Sequence, residues 1–264
     1  MIISKSERDF LIKNFSTHRL DNRKPSEIRS IDLEFPDNYG SSFSVLAKIE
    51  DSLLNCCIRS YPESIQYPDQ PGEVKLSINF QPGCLEHYDK DTAIFYKDTV
   101  VGYIMNLIKF DQFIDLNKLS FPDYSSHLVI SIDITVYSLI SGGLMQLLAS
   151  SLYAVLQGCV IEVPIKIEGK DQPDYVKEKL PFKAEIPLLV SACQLGEGYI
   201  MDPTLLEDVC AAGRIVASVG NSIPPYLDID IEEEVIHEVV TALNIYGQNL
   251  KAELDELMDI LAGN

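Results

Sequence analysis

The sequence predicts a mixed α/β fold, and three stretches carry that expectation. In the first, Ile130, Ile132, Ile134 and Val136 alternate with Ser131, Asp133, Thr135 and Tyr137, the two-residue period of a half-buried strand. Ser141-Gly142-Gly143 interrupts it. Leu144, Leu147, Leu148, Leu152, Val155 and Leu156 then recur at three- and four-residue steps among Ala149, Ser150, Ser151 and Ala154. A helix with so broad an apolar face, and small residues elsewhere, can lie between two layers. The second stretch is the strand expected at 159–167, which completes a strand–helix–strand unit of the crossover type. The third is a long closing helix at 228–262. Val235, Val239, Leu243 (or Ala242), Tyr246, Leu250, Leu254, Leu257 and Leu261 form its stripe. Glu232, Glu233 and Glu234 fall in its first turns, at the positive end of the helix dipole. No matching heptad exists elsewhere, so the stripe is read as packing on a sheet rather than as a coiled coil.

The remaining elements follow in order. Ser4 or Ser6 can cap a first helix within 1–16, with Phe10, Leu11 and Phe15 on its apolar side. Residues 17–29 are polar and locally basic, with His18, Arg19, Arg23, Lys24 and Arg29. Four strands are expected at 28–35, 42–49, 53–61 and 73–80, with turn chemistry at Asp37-Asn38-Tyr39-Gly40 and Glu50-Asp51-Ser52. The second turn is short enough to make 42–49 and 53–61 a hairpin. Residues 62–72 and 82–90 read as loops. Residues 91–110 carry Ile94, Phe95, Val101, Ile104, Met105 and Ile108 at helical steps, although Gly102 costs about 1 kcal/mol against alanine. Residues 169–185 read as a charged surface excursion. Strands at 186–195 and 199–201 are joined by Gly196-Glu197-Gly198; a further strand spans 213–219, and Pro224-Pro225 marks a loop. Strands followed by a helix occur at 28–110 and again at 128–264. The chain therefore reads as one pseudo-duplicated domain over 1–264, with a first part at 28–185 and a C-terminal part at 186–264.

Composition excludes several classes. Hydrophobic residues make up 46% of the 264, too many for a disordered chain. Forty acidic residues against twenty-one basic ones give a net charge of −19. Such a field repels phosphate, so the chain alone is not expected to grip a nucleic-acid backbone. Met1-Ile2-Ile3 runs at once into Lys5, Glu7, Arg8 and Asp9, which is no secretory leader. No apolar run reaches the ~18 residues of a membrane span. None of the six cysteines forms a Cys-x-x-Cys pair, and no histidine has a cysteine or a second histidine at ligand spacing. Free thiols and no metal or cofactor are the expectation.

Several segments together resemble the RNase PH-like ring subunits of the eukaryotic RNA exosome. Ser6-Glu7-Arg8-Asp9-Phe10-Leu11, then Arg19-Leu20-Asp21-Asn22-Arg23, then Glu27-Ile28-Arg29 look like the family's first helix, its Arg-x-Asp-Gly-Arg segment and the arginine that follows. Asn22 stands where glycine is usual; both tolerate a left-handed backbone. Asp37-Asn38-Tyr39-Gly40 has the spacing of the first hairpin. Tyr199-Ile200-Met201-Asp202-Pro203-Thr204, with Glu207-Asp208 behind it, resembles the family's late strand, its Asp-Pro turn and an acidic pair. The first helix and the Asp-Pro-x-x-x-Glu pattern are most similar to the non-catalytic lineage. The fold implied is the RNase PH-like domain, related to ribosomal protein S5 domain 2, with a long C-terminal helix.

Phosphorolysis needs a phosphate pocket, cations and an acidic group. In active relatives a Gly-Gly-Thr-Arg turn opens the central helix, where the helix terminus and the arginine fork favour an anion. Here the matching positions are Gly142, Gly143, Leu144 and Met145, so hydroxyl and guanidinium have become apolar. The two aspartates of active relatives fall at Asp208 and Arg214. No arginine stands between 91 and 115; Lys97 and Lys109 are the bases there. The tight-turn reading of Gly142-Gly143 is preferred to anion binding, a solvated carboxylate is the ordinary reading of Asp208, and Arg214 is expected to pair with an acidic neighbour. The resemblance offers Arg19, Arg23, Lys90 and Lys97 as candidates for an RNA path. For the 19–29 arginines, balancing nearby acidic groups is the alternative, and the favoured one. The role implied is a catalytically inert subunit of a hetero-hexameric ring of RNase PH-like chains. S1/KH cap proteins and threaded RNA would be its partners, in the nucleus, nucleolus and cytoplasm. An active phosphorolytic exoribonuclease and an unrelated acidic α/β binding protein are the alternatives.

Overall fold

The computed structural model describes residues 4–14, 19, 21–36, 42–67, 69–86, 90–165, 173–219, 226–227 and 233–262. Phe15, the turn at 37–40, Pro224-Pro225 and the first residues of the closing helix pattern lie outside them. The elements run α1 (Lys5–Asn14), β1 (Asp32–Glu34), β2 (Ser42–Ile49), β3 (Ser52–Ser64), β4 (Glu73–Phe80), α2 (Lys90–Leu107) and α3 (Phe110–Phe113). After a 3₁₀ turn come β5 (Ser120–Phe121), a second 3₁₀ turn, β6 (Ser126–Leu139), α4 (Leu144–Gly158), β7 (Val160–Ile165) and β8 (Asp174–Lys179). The chain closes with β9 (Leu189–Leu195), β10 (Gly198–Met201), α5 (Leu205–Cys210), β11 (Gly213–Ser218), β12 (Tyr226–Leu227) and α6 (Glu233–Ala262). None of the described helices is long and apolar enough to cross a membrane.

The strands form a six-stranded sheet ordered β1-β2-β3-β6-β4, with β5 paired to β6, and a four-stranded sheet ordered β10-β9-β11-β12. The alternation in β6 sets the first sheet's two faces. Ile130, Ile132, Ile134 and Val136 are fully buried, while Ser131, Asp133 and Thr135 on the other face are half-buried. On that outer face Asp133 accepts hydrogen bonds from Arg59 Nη2 at 2.6 Å and from Ser77 Oγ at 2.7 Å.

Helix α4 is the layer between the sheets. Twelve of its residues, from Leu144 to Leu156, are buried, and it packs on β2, β3, β9 and α6. Helix α6 covers the second sheet and reaches α4, where Tyr153 OH donates to Asp255 Oδ1 at 2.7 Å. Val239, Leu243, Leu250 and Leu254 of its stripe are buried; Leu257 and Leu261 are exposed at the far end. One continuous apolar cluster spans β2, β3, β6, α2, α4, β9, β11 and α6.

Three expectations need correction. The parallel crossover is not at 128–167. It is β4–α2–β6, since β4 pairs with β6 in parallel, while β7 leaves the sheet and pairs antiparallel with β8. The charged 169–185 excursion therefore contains a strand, hidden in the sequence because all six residues of β8 are exposed. Helix α1 begins with Ser4 and Glu7 in reciprocal capping contacts, but Phe10 faces solvent. Leu11 and Ile12 instead pack on a small cluster of Cys193, Leu195, Ile200 and Cys210.

Two glycines give opposite expectations. Gly142 has φ +75°, and a Cβ there would lie 2.6 Å from the backbone nitrogen of Leu205. Gly102 lies inside α2 with open space around it. Gly142→Ala should lower unfolding stability by about 2 kcal/mol or more, through strain and a backbone clash. Gly102→Ala should raise it by about 0.5–1 kcal/mol through helix propensity. Urea denaturation reads both.

Candidate functional site

Three segments remote in sequence meet at the start of α4. Residues 19–29 supply arginines, the turn from β10 into α5 supplies carboxylates, and residues 141–143 bring the chain out of β6. Thr204 caps α5: its side chain accepts from the Glu207 backbone N–H, and Glu207 reaches back to the Thr204 N–H, a capping box. The same Glu207 carboxylate takes a fork from Arg19, Nε to Oε1 at 3.0 Å and Nη2 to Oε2 at 2.8 Å. Arg19 is 2% exposed. Its remaining donors go to the carbonyls of Glu27, Met201 and Asp202 at 2.9–3.2 Å, with Lys24 O at 3.4 Å.

Asp202 is buried and sits at φ +44°, a left-handed backbone that a non-glycine residue seldom adopts. Its side chain accepts from Arg29 Nη2 at 2.6 Å and Arg29 Nε at 2.7 Å, and from Arg23 Nη1 at 2.7 Å. Arg29 Nη1 also donates to Ser141 O at 2.7 Å and to Glu50 Oε2 at 3.2 Å. Burial works against the Arg29 charge, but hydrogen bonds and charge from Asp202, with Glu50 behind, outweigh it and hold its pKa above the ordinary value. Arg23 Nε donates to Asp21 Oδ2 at 2.7 Å. Asn22 takes φ +62°, the conformation that glycine would supply.

The positions that the sequence pointed to as matching a phosphate turn and an acidic pair converge here too. Gly143, Leu144, Met145, Asp202, Asp208 and Arg214 line one cavity of about 10 Å³, room for about one water by the usual measure of 10–15 Å³. Leu144 and Met145 are buried. Asp208 is buried and paired with Arg214, not solvated as its sequence context suggests. Cys193 Sγ lies between them, accepting from Arg214 Nη1 at 3.2 Å and donating to Asp208 Oδ1 at 3.4 Å. Burial pushes the Cys193 thiol well above its ordinary pKa, which keeps the donor proton in place. Protein carboxylates thus stand beside the α4 terminus, where an incoming anion would have to sit. Gly142 and Gly143, at φ +75° and +73°, make a tight strand-to-helix turn.

Arg19 is buried with its donors committed, and Arg23 is bound to Asp21 and Asp202, the pairing with nearby acidic groups that was the favoured expectation for the 19–29 arginines. Lys90 and Lys97 are exposed on α2, where Lys97 Nζ lies 5.1 Å from the centre of the Phe80 ring. Sequence reasoning grouped Gly142 to Met145 with Asp208 and Arg214, as the structure does. It assigned no role to Asp202 or Glu207 and did not name them as the acidic groups that Arg29 meets. Their signal was present: the Arg-x-Asp-x-Arg and Asp-Pro-x-x-x-Glu segments are the two halves of one ion-pair network.

The sheet order, the sandwiched α4 and this junction define a protein with the RNase PH-like fold found in exosome subunits. No protein-family model and no curated protein matches the chain. By structure it is similar to a chain of the Archaeoglobus fulgidus exosome with RNA bound to the active site, at TM-score 0.70 and 18% identity, covering 93% of this chain and 96% of that one. It is also similar to a chain of an archaeal exosome core, at TM-score 0.67 and 18% identity over 94% and 96% of the two chains. A third likeness is rice (Oryza sativa) Rrp46, at TM-score 0.58 and 13% identity over 91% and 98%.

The network predicts how stability responds. Arg19→Met should cost about 3–5 kcal/mol, because it strands the buried Glu207 charge. A double-mutant cycle with Glu207→Gln should show coupling of about 1 kcal/mol or more, read by denaturant titration. Burial pushes the Asp21 carboxyl up, but hydrogen bonds from the Arg23 side chain and backbone outweigh it and leave its pKa lowered. That stabilisation is present above the unfolded value near 3.9 and lost as pH falls through the lower folded value. Asp21→Asn should therefore reduce stability at pH 7 and flatten the acid limb of a stability–pH curve below about pH 4.

Proposed function

We propose that this chain is a non-catalytic structural subunit of an RNA exosome core ring, supporting the threading of RNA in 3′-to-5′ processing and decay. Its place in a ring is supported by the fold likeness to exosome chains over more than nine-tenths of their length. The partners proposed are other RNase PH-like subunits in a hetero-hexamer and S1/KH cap proteins, with RNA met in the assembled complex. The ring position proposed is that of ribosomal RNA-processing protein 45, on the Ser6–Leu11 helix, the 19–29 arginines and Asp202-Pro203 with Glu207. Nucleus, nucleolus and cytoplasm are the proposed locations.

The observation that carries the inert reading is the small cavity at the head of α4. A phosphate dianion needs donors and room. This cavity of about 10 Å³ holds two apolar side chains and an Arg214–Asp208 pair already joined. The arginines nearby are spent on Asp202 and Glu207. Lys90 and Lys97, exposed on α2, are the proposed contacts to RNA.

Isolated, the chain leaves Phe10, Ile245, Leu257 and Ile260 exposed and presents edge strands that ring neighbours would cover. It should aggregate alone or co-purify with RNase PH-like siblings from its native source. A stable monomer at high concentration, or recovery with no such sibling, counts against the ring. The chain with its siblings, given single-stranded RNA and inorganic phosphate, should yield no nucleoside diphosphate attributable to this subunit. Release that disappears on Asp208→Ala would overturn the inert reading.

A further inference from the structure

His127 opens β6 at 2% exposure, and neither Nδ1 nor Nε2 has a hydrogen-bond partner among the described residues. Leaving buried polar atoms unmet is costly, and native structures seldom do so without water, an ion or a function. Ser120 is the direct partner of His127 in the β5–β6 ladder, and its buried hydroxyl is also unmet. Directly paired residues of an antiparallel ladder project to the same side, so both orphans serve one spot.

Two carboxylates stand at that spot. Glu63 is opposite His127 across the β3–β6 ladder. Glu73 pairs with Val129, which shares the face of His127 because it lies two residues along the strand. One ligand atom from each of Glu63, Glu73 and His127 lies within 4.8 Å of the others. We propose that these three residues bind one transition-metal dication of the zinc class on the outer face of the six-stranded sheet. This is independent of the role proposed for the chain in a ring.

The donor set argues for the class of ion. One imidazole nitrogen with two carboxylates suits zinc, whereas calcium and magnesium favour oxygen throughout. Tetrahedral bonds of about 2.1 Å set donors about 3.4 Å apart, so donors now within 4.8 Å of one another have to draw in by at most about 1.4 Å. The glutamates can do this: their side chains are 48% and 52% exposed. The buried imidazole holds still. The Ser120 hydroxyl or a water completes the shell. Lys75 now occupies the mouth, its Nζ 3.2 Å from Glu73 Oε2 and 3.7 Å from Glu63 Oε2. It offsets the two negative charges but leaves His127 unmet. Being 45% exposed on a flexible stem, it can swing out and yield to an ion. Bound, the ion ties β3, β4 and β6 together at one end of the sheet.

Equilibrium dialysis of the full chain, with whatever subunits accompany it, against Zn²⁺ in excess Mg²⁺ tests this. One equivalent should be retained. Glu63→Gln and Glu73→Gln, both at exposed positions that leave the core intact, should each weaken retention on the order of tenfold or more, and Lys75→Met should strengthen it. Co²⁺ in place of Zn²⁺ should give the visible bands of nitrogen and oxygen coordination, without a thiolate charge-transfer band. No retained equivalent, retention unchanged in both glutamine variants, or a thiolate band placing the ion on a cysteine would each overturn the proposal.

Discussion

Asp202 is the point on which the molecule turns. It is a charged residue with a left-handed backbone, buried where neither is favourable. It persists because Arg29 and Arg23 supply charge-assisted hydrogen bonds from one side and its own carbonyl accepts from Arg19 and Arg23. The turn fixes the direction in which the chain leaves β10. That direction sets the start of α5, where Glu207 is both cap and counter-ion. Arg29 carries the link onward to Ser141, at the exit of β6. The described residues of the 19–29 segment, which form no helix or strand, are thereby tied to α5, to Asp202 and to the exit of β6. Removing one partner leaves a charge stranded in low dielectric, which costs more than the pair contributes when intact.

Much of the fold was legible where one side of an element is dry and the other wet. Glu73–Phe80 and Ser42–Ile49 were read to the residue, and β6 announced its buried face through strict alternation. α4 was legible for a different reason: its stripe and its small residues required two layers. Legibility failed where packing is not written in period. β8 is exposed along its length, so no apolar pattern marks it, and only pairing with β7 makes it a strand. The crossover was placed one unit late because strand–helix–strand in sequence does not say which strands become neighbours. α5 was missed, being short and held by its capping box.

The site was half legible. Its apolar and acidic positions were grouped together by motif spacing, and Gly143, Leu144, Met145, Asp208 and Arg214 do line one cavity. That its arginines would meet acidic groups was expected, but not which ones or how deeply, since a guanidinium in a basic stretch looks the same whether it meets a surface carboxylate or a buried one. The histidine cluster was invisible for a similar reason: Glu63, Glu73 and His127 become neighbours only through strand pairing, and no spacing rule joins them. Arg19, Arg214 and most of Arg23 and Arg29 are withdrawn from water together with Asp202, Glu207 and Asp208, so the surface keeps close to the full net charge of −19. In the proposed ring, attraction for RNA would have to come mainly from neighbouring chains.

The narrow cavity at the head of α4 limits what substitution can do. A guanidinium placed at position 145 would arrive beside Arg214, in a space sized for about one water, with a like charge for company. Taking Arg214 away first would abandon Asp208 in the interior. Under the inert role proposed above, a single substitution would not make an anion site here, and several changes at once would be needed: the packing at the head of α4 stands guard against it.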